Sequence, residues 1–443
     1  MADRYWVGGA GTWNATAGLK WALTSGGLGG QAVPTLADDV YFDAGSGAVA
    51  VVIGTGSTCK NLNFTGFTGS LSTSTGTLAC YGNMVMKSGM TSAWTGAISF
   101  LSTTAQTITT NGFTFDNTIT FNGVGGSWQL VDNLTSGSTR TVTLTNGTLD
   151  LNSKTLSIGL ISSSNSNIRT LAFGTGNITL TGNNASIIAM GNATNLTITG
   201  TPVMNATYAG STGSRNISSN ILTNGGTEAK AISVNVTAGT DTIAFGNAGS
   251  SYKNMIFTGF TGTITFTNSA TCFGNLTFNA GTTAISGSTI VFGGTTGTQQ
   301  ITTGVNTIDA PITFSGTGVY QFNDALTQGS TRAFTITTGT VQLKSGVTST
   351  VGSFVANSSS VKYLQSTTPG SQATISQASG TITVSDLTIQ DSNAAGGASW
   401  TAYADYENID AGNNDGWNFS ISPPYAAYEP PIIIRSFTQP RRF

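Results

Sequence analysis

Along this chain apolar residues alternate with Thr and Ser in short runs, and Gly and Asn break the runs every few positions. A period of two predicts β-strands, and the Gly/Asn breaks predict tight turns between them. In TVTLTNGTLDL (141–151) the alternation places Val142, Leu144, Leu149 and Leu151 on one face, with Thr on the other, where hydroxyl ladders are favourable. Good helix formers such as Glu and Lys are scarce, so few helices are expected.

A four-residue pattern, Asn/Asp–Leu/Met–x–apolar, starts at Asn61, Asn83, Asn195, Asn254, Asn275 and Asp386. Two neighbouring pairs, Asn61/Asn83 and Asn254/Asn275, stand 22 and 21 residues apart, close to the length of one coil of a parallel β-helix. Some 15 such coils, stacked ~4.8 Å apart, make a rod roughly 70–80 Å long. A chain of β-sandwich domains also has short strands and frequent turns. It would bring more aromatic core residues and clearer linkers, so the fold class predicted is all-β, a β-solenoid.

A longer repeat contains the short one. The stretch from Cys59 to Gly69 recurs from Tyr252 to Gly262, residues 106–123 recur as 299–316, and 128–153 recur as 320–345. Apolar and Gly positions are shared throughout, which marks a tandem duplication. The resulting division is a cap over residues 1–50, solenoid repeats over 51–251 and 252–390, a closing cap over 391–420 and a tail over 421–443. Trp6, Trp13 and Trp21 lie in the first cap, and Trp400, Tyr403, Tyr406, Trp417 and Phe419 in the second. A solenoid needs such caps to cover its open coils. The tail holds five of the nine prolines and cannot be a regular inner strand. Pro423, Pro424, Pro430 and Pro431 stiffen it. Ile432, Ile433 and Ile434 offer apolar area, and Arg435, Arg441 and Arg442 offer charge, so it reads as a segment that docks on a partner.

Composition narrows the function. Charged residues are 8% of the chain and the net charge is −2, without the clustered Lys and Arg that nucleic acid requires. No apolar run approaches the ~18–20 residues of a membrane span. The opening MADRYWVGGAG lacks the basic stretch and apolar core of a secretory signal, so no export route is expected. Cys59, Cys80 and Cys272 form no metal-ligand spacing and read as buried reduced thiols. The chain contains no histidine, which removes Ser-His-Asp and Cys-His schemes. Glycoside cleavage by paired carboxylates is the chemistry still open to it, with Asp132, Asp150 and the matching Asp324 as candidates. Asp150 aligns with Gln342, so that pair is not duplicated, and turn-capping explains Asp132 and Asp324 more simply. The stretch with Asp405, Glu407, Asp410 and Asp415 is loosely like a calcium loop but lacks its spacing and closing Glu. Arg140 and Arg332, equivalent in the two repeats, read as stacking or capping groups on the coil exterior. No catalytic, cofactor or metal residue is assigned, and no cofactor is expected.

The opening, through Trp6, Gly8, Gly9, Trp13, Trp21, Pro34, Asp39 and Phe42, resembles the start of autotransporter-type adhesin passenger regions. The later FTGFTG, LTxGSTR and TLTNGTLDLNSKTLSIG segments, and the ending DSNAAGGASW…IDAGNNDGWNF, resemble the β-helical tail fibres and virion structural proteins of bacteriophages. The resemblance spans about residues 4–420. It implies a non-enzymatic structural or adhesive role on a virion assembled in the host cytoplasm. Its implied partners are other virion proteins, further copies of the chain with a trimer favoured, and a host surface glycan. The alternatives are a glycan-degrading tailspike and a cellular surface adhesin, the latter needing an export signal.

Overall fold

The computed structural model describes residues 2–14, 19–183, 186–219, 228 and 231–421. Among these the regular structure is nearly all β, short strands joined by turns without an α-helix, and the chain winds as a parallel β-solenoid of about 16 turns. Each turn carries short strands on three faces. The first face begins Asp3–Trp6, Asp39–Tyr41, Leu62–Asn63 and Met84–Val85; the second Gly11–Thr12, Ala50–Val52 and Ser70–Ser74; the third Ser57–Cys59, Leu78–Cys80 and Ile98–Phe100. Inward positions stack like on like. Leu62, Met84, Ile108 and Leu130 are register neighbours, all buried, while Thr and Ser face outward. Aromatic rings follow the same rule, so Phe292, Phe314, Phe334 and Phe354 climb the axis with centroids 5.1 to 5.9 Å apart. No helix among the described residues is long and apolar enough to cross a membrane.

The segment 141–151 corrects one reading. Val142 and Leu144 pair with Ile119 and Phe121 on the third face, whereas Leu149 pairs with Trp128 on the first. All point inward, but the chain turns a corner between them, and the odd spacing from Leu144 to Leu149 is that corner. Gly147 makes it, with φ +78° and the Gly123 carbonyl 2.5 Å from where a Cβ would sit. Only glycine combines that backbone angle with so close an approach.

The duplicated segments carry their strands in the same order. Leu62–Asn63, Ser70–Ser74, Leu78–Cys80 and Met84–Val85 answer Met255 and Ile256, Thr263–Phe266, Ala270–Cys272 and Leu276–Thr277. They are not stacked in phase. The second face runs from Asn177–Leu180 through Val203–Ala206 and Ile232–Val236 into Met255 and Ile256, which are first-face residues by sequence equivalence. Likewise Ser214–Ser219 and Thr242–Phe245 lead into Thr263–Phe266 on the third face. The second repeat is therefore rotated by one face about the axis. The boundary at 251/252 falls inside a single strand, Ser250–Ile256.

At the N-terminal end, Trp21–Ala22 pairs antiparallel with Asp3–Trp6 and covers the open edge of the first coil. Trp6, Trp13 and Trp21 close over Phe42 with ring centroids 5.1 to 5.8 Å apart. At the other end Trp400 and Trp417 meet at 5.0 Å above Phe354. Residues 391–420 are continuous with the solenoid: Ser392–Gly396, Ser399–Thr401 and Ile409–Asp410 extend the stacks beneath them. Cys59, Cys80 and Cys272 are free and buried; burial pushes the Cys272 thiol up to about 12. The proposed docking residues, from Pro423 to Arg442, lie outside the described residues.

Candidate functional site

Because register neighbours stack, an outward residue repeated at coil spacing becomes a column. One column is amide-rich in both repeats. In the first it reads Asp39, Asn61, Asn83, Thr107, Gln129 and Asp150. In the second it continues from Asn254 and Asn275 to Gln300, Gln321, Gln342, Gln365 and Gln390. At its start each Asn serves the next coil: the Asn83 amide donates to Asn61 Oδ1 at 2.7 Å, and the Asn275 amide to Asn254 Oδ1 at 2.8 Å. Further along, Gln300 Nε2 donates to Gln321 Oε1 at 2.9 Å. These bonds align the side chains but leave donors and acceptors facing water. The one-face rotation between repeats points the two columns in different directions around the rod.

A shallow depression of 210 Å³ lies along the first column, lined by Asn83, Gln106, Thr107, Ser127, Gln129 and Asp150. It offers amides, hydroxyls and one carboxylate, a set that hydrogen-bonds polyols and glycans and has no aromatic platform. Asp150 is engaged on both oxygens, one accepting from Gln129 Nε2 at 2.9 Å and the other from the Asn152 amide at 2.7 Å.

Asp132 and Asp324 hold the preceding coil's turn. Asp132 accepts from the Thr110 and Asn111 amides at 2.7 and 2.5 Å, and Asp324 from the Thr303 and Gly304 amides, both at 2.8 Å. The two repeats thus use the same carboxylate for the same structural bond. Arg140 and Arg332 do not stack or cap: each forms a two-pronged ion pair to the coil before it, with Asp116 at 2.7 and 3.0 Å and with Asp309 at 2.6 and 3.0 Å. The pairing hold the Asp116 and Asp309 carboxyls below their ordinary range through these hydrogen bonds. In the calcium-like stretch, Asp410 Oδ1 accepts from the Gly412 amide and Asn414 Nδ2, and Asp415 Oδ2 accepts from Gln372 Nε2. No group of three or more Cys, Asp or Glu residues stands close enough to hold a metal among the described residues.

Sequence reading missed the glutamine column, whose signal is Gln recurring near the coil length, and the acidic halves of both ion pairs, which are duplicated along with their arginines. It also missed three buried cations. Arg169 is fully buried and donates to the carbonyls of Ser163, Asn167, Asn192 and Thr194. Lys362 donates to those of Ser358, Ser360 and Asp386, and Arg215 pairs with buried Asp241 at 2.7 Å. Arg169 and Lys362 have their charge met by turn carbonyls, and Arg215 by the Asp241 carboxylate and the Ala238 carbonyl through Nε and Nη2, with Nη1 left without a partner among the described residues. Compared with family models, with curated proteins and with solved structures, the chain finds no match in any of the three.

Proposed function

We propose that this chain is a non-enzymatic structural and adhesive protein of a bacteriophage particle, a fibre, spike or decoration protein whose solenoid presents its turns and amide columns to a surface. Its third face carries the reading. That face is hydrogen-bonded turn to turn without a gap from Ser57–Cys59 to Ser392–Gly396, the continuity a stiff rod needs. Support also comes from the resemblance of the repeats to phage β-helical proteins and from the amide columns, whose chemistry suits a host surface glycan. The candidate carboxylates Asp132, Asp150 and Asp324 are engaged in turn and ladder bonds, which favours adhesion over hydrolysis. In this reading the chain works as a homo-oligomer, a trimer favoured, docked on other virion proteins.

Binding of the labelled full chain to host cells tests it, with gold-labelled antibody locating the protein on particles. Cell binding, particle labelling and no new reducing ends on host polysaccharide are expected. Absence from particles overturns the virion role. Steady release of reducing ends, abolished by Asp132→Asn or Asp150→Asn, replaces adhesion with hydrolysis.

A further inference from the structure

Four leucines on the N-terminal cap face water: Leu19, Leu23, Leu28 and Leu36 are 76%, 51%, 94% and 55% exposed. Three of them share one lobe. The Gly27 amide bonds to the Thr24 carbonyl, closing a turn flanked by Leu23 and Leu28. Gly29 lies against the Leu19 backbone, with the Leu19 carbonyl 2.6 Å from where a Gly29 Cβ would sit. Beneath them the large cap side chains are buried, so these leucines stand out on a lobe that otherwise exposes only small residues, among them Thr24, Ser25, Gly26 and Gly30. It borders an acidic edge. Leu23 follows Ala22, the register partner of Tyr5, and Asp3 begins the same strand, in register with Asp39 of the next coil. Asp38 is buried and held by Thr35 and the Ala2 amide, so across residues 1–50 the carboxylates that reach the surface are Asp3, Asp39 and Asp43, against Arg4 and Lys20.

The tail is complementary on both counts. Ile432, Ile433 and Ile434 run together and lead into Arg435, and Arg435, Arg441 and Arg442 outnumber Glu429. Ile432 lies about 11 residues past Ile421, so it reaches at most about 40 Å from the last described residue at ~3.6 Å per residue. The solenoid between that residue and the cap has about 16 turns. At ~4.8 Å each that is about 75 Å, nearly twice the reach. A chain therefore cannot lay these isoleucines on its own cap.

We propose that residues 432–435 of one copy dock on the Leu19/Leu23/Leu28 lobe and acidic edge of a second copy, joining rods head to tail. The inference rests on the homo-oligomer part of the reading above, replaces its trimer with an open head-to-tail chain, and needs no virion. Such a contact uses different surfaces on the two partners, so it propagates unless a third element closes it. Purified full chain tests it by sedimentation velocity over a range of concentrations and salt. Wild type is expected to grow in steps of one unit, less so at high salt. Leu28→Ser and Ile433→Ser are each expected to weaken growth at least tenfold. Mixed together, these two variants are expected to form pairs and stop there, because one supplies an intact tail and the other an intact cap. The urea midpoint and far-ultraviolet circular dichroism of Ile433→Ser, compared with wild type, serve as the folding control. A single species of wild type at every concentration overturns the proposal, as does growth unchanged by Ile433→Ser or a mixture that forms no pairs. Cell binding is read separately, so failure here leaves the adhesive reading standing, and failure there leaves this one.

Discussion

At the scale of the residue, a recurring set of polar side chains holds one coil to the next. Asp132 and Asp324 bind backbone amides of the turn below, and the Asp116–Arg140 and Asp309–Arg332 pairs clamp neighbouring coils across the same interval. Hydrogen bonds from the arginines hold both carboxyls below their ordinary value of 3.8. Carboxyls lowered in the folded state stabilise it above their unfolded pKa, and that contribution is lost as pH falls through the lowered value. The chain contains no histidine. Stability is therefore expected to stay flat between about pH 5 and 8 and to drop below about pH 4. Urea midpoints across this range check it, and Asp116→Asn with Asp309→Asn together should shrink the acid-side drop. Asp38 retains part of it: burial works upward there, but hydrogen bonds from Thr35 and Ala2 outweigh it.

At the scale of the element, corners matter more than strands. A strand of this solenoid is a short Thr-rich run that many sequences could supply, but a corner must bring carbonyls of adjacent coils close together. Gly147 and its equivalent Gly339 have φ of +78° and +81° and sit over carbonyls of the coil below. Gly125 has φ +75° with open space around it. Gly147→Ala is thus expected to cost clearly more than Gly125→Ala, whose penalty is the left-handed backbone alone, roughly 1–2 kcal/mol. Denaturant unfolding of the two variants measures the difference. Equal losses would mean that the coils shift apart to admit the methyl group.

At the scale of the whole molecule, the rotation between repeats has a geometric consequence. A duplication spaced by a whole number of turns would set both amide columns on one face; here they point to different faces, widening the range of approach for a ligand. The rod itself is expected to show a maximum dimension of about 80–100 Å by small-angle scattering of the isolated unit, from about 16 turns at ~4.8 Å plus caps. Measured above the concentration at which units join, the dimension should rise in multiples of the rod length.

Much of this was legible in the chain because a solenoid writes its geometry locally. The period of two in 141–144 and the coil-length recurrence of Asn61 and Asn83 act through neighbours one coil away, about 21 residues in sequence, and the three tryptophans of the first cap meet within 15 residues of one another. Asp132 and Asp324 were readable as turn residues for the same reason. Three things were settled only by tertiary structure. The rotation at Ser250–Ile256 depends on which face the chain enters after a corner, which alternating residues do not encode. The acidic partners of Arg140 and Arg332 lie a full coil away, and a charge does not reveal its partner until coils stack. The exposure of Leu19 and Leu28 runs against their hydrophobicity, since apolar residues on a cap read as core until the fold shows that Trp6, Trp13 and Trp21 already fill it.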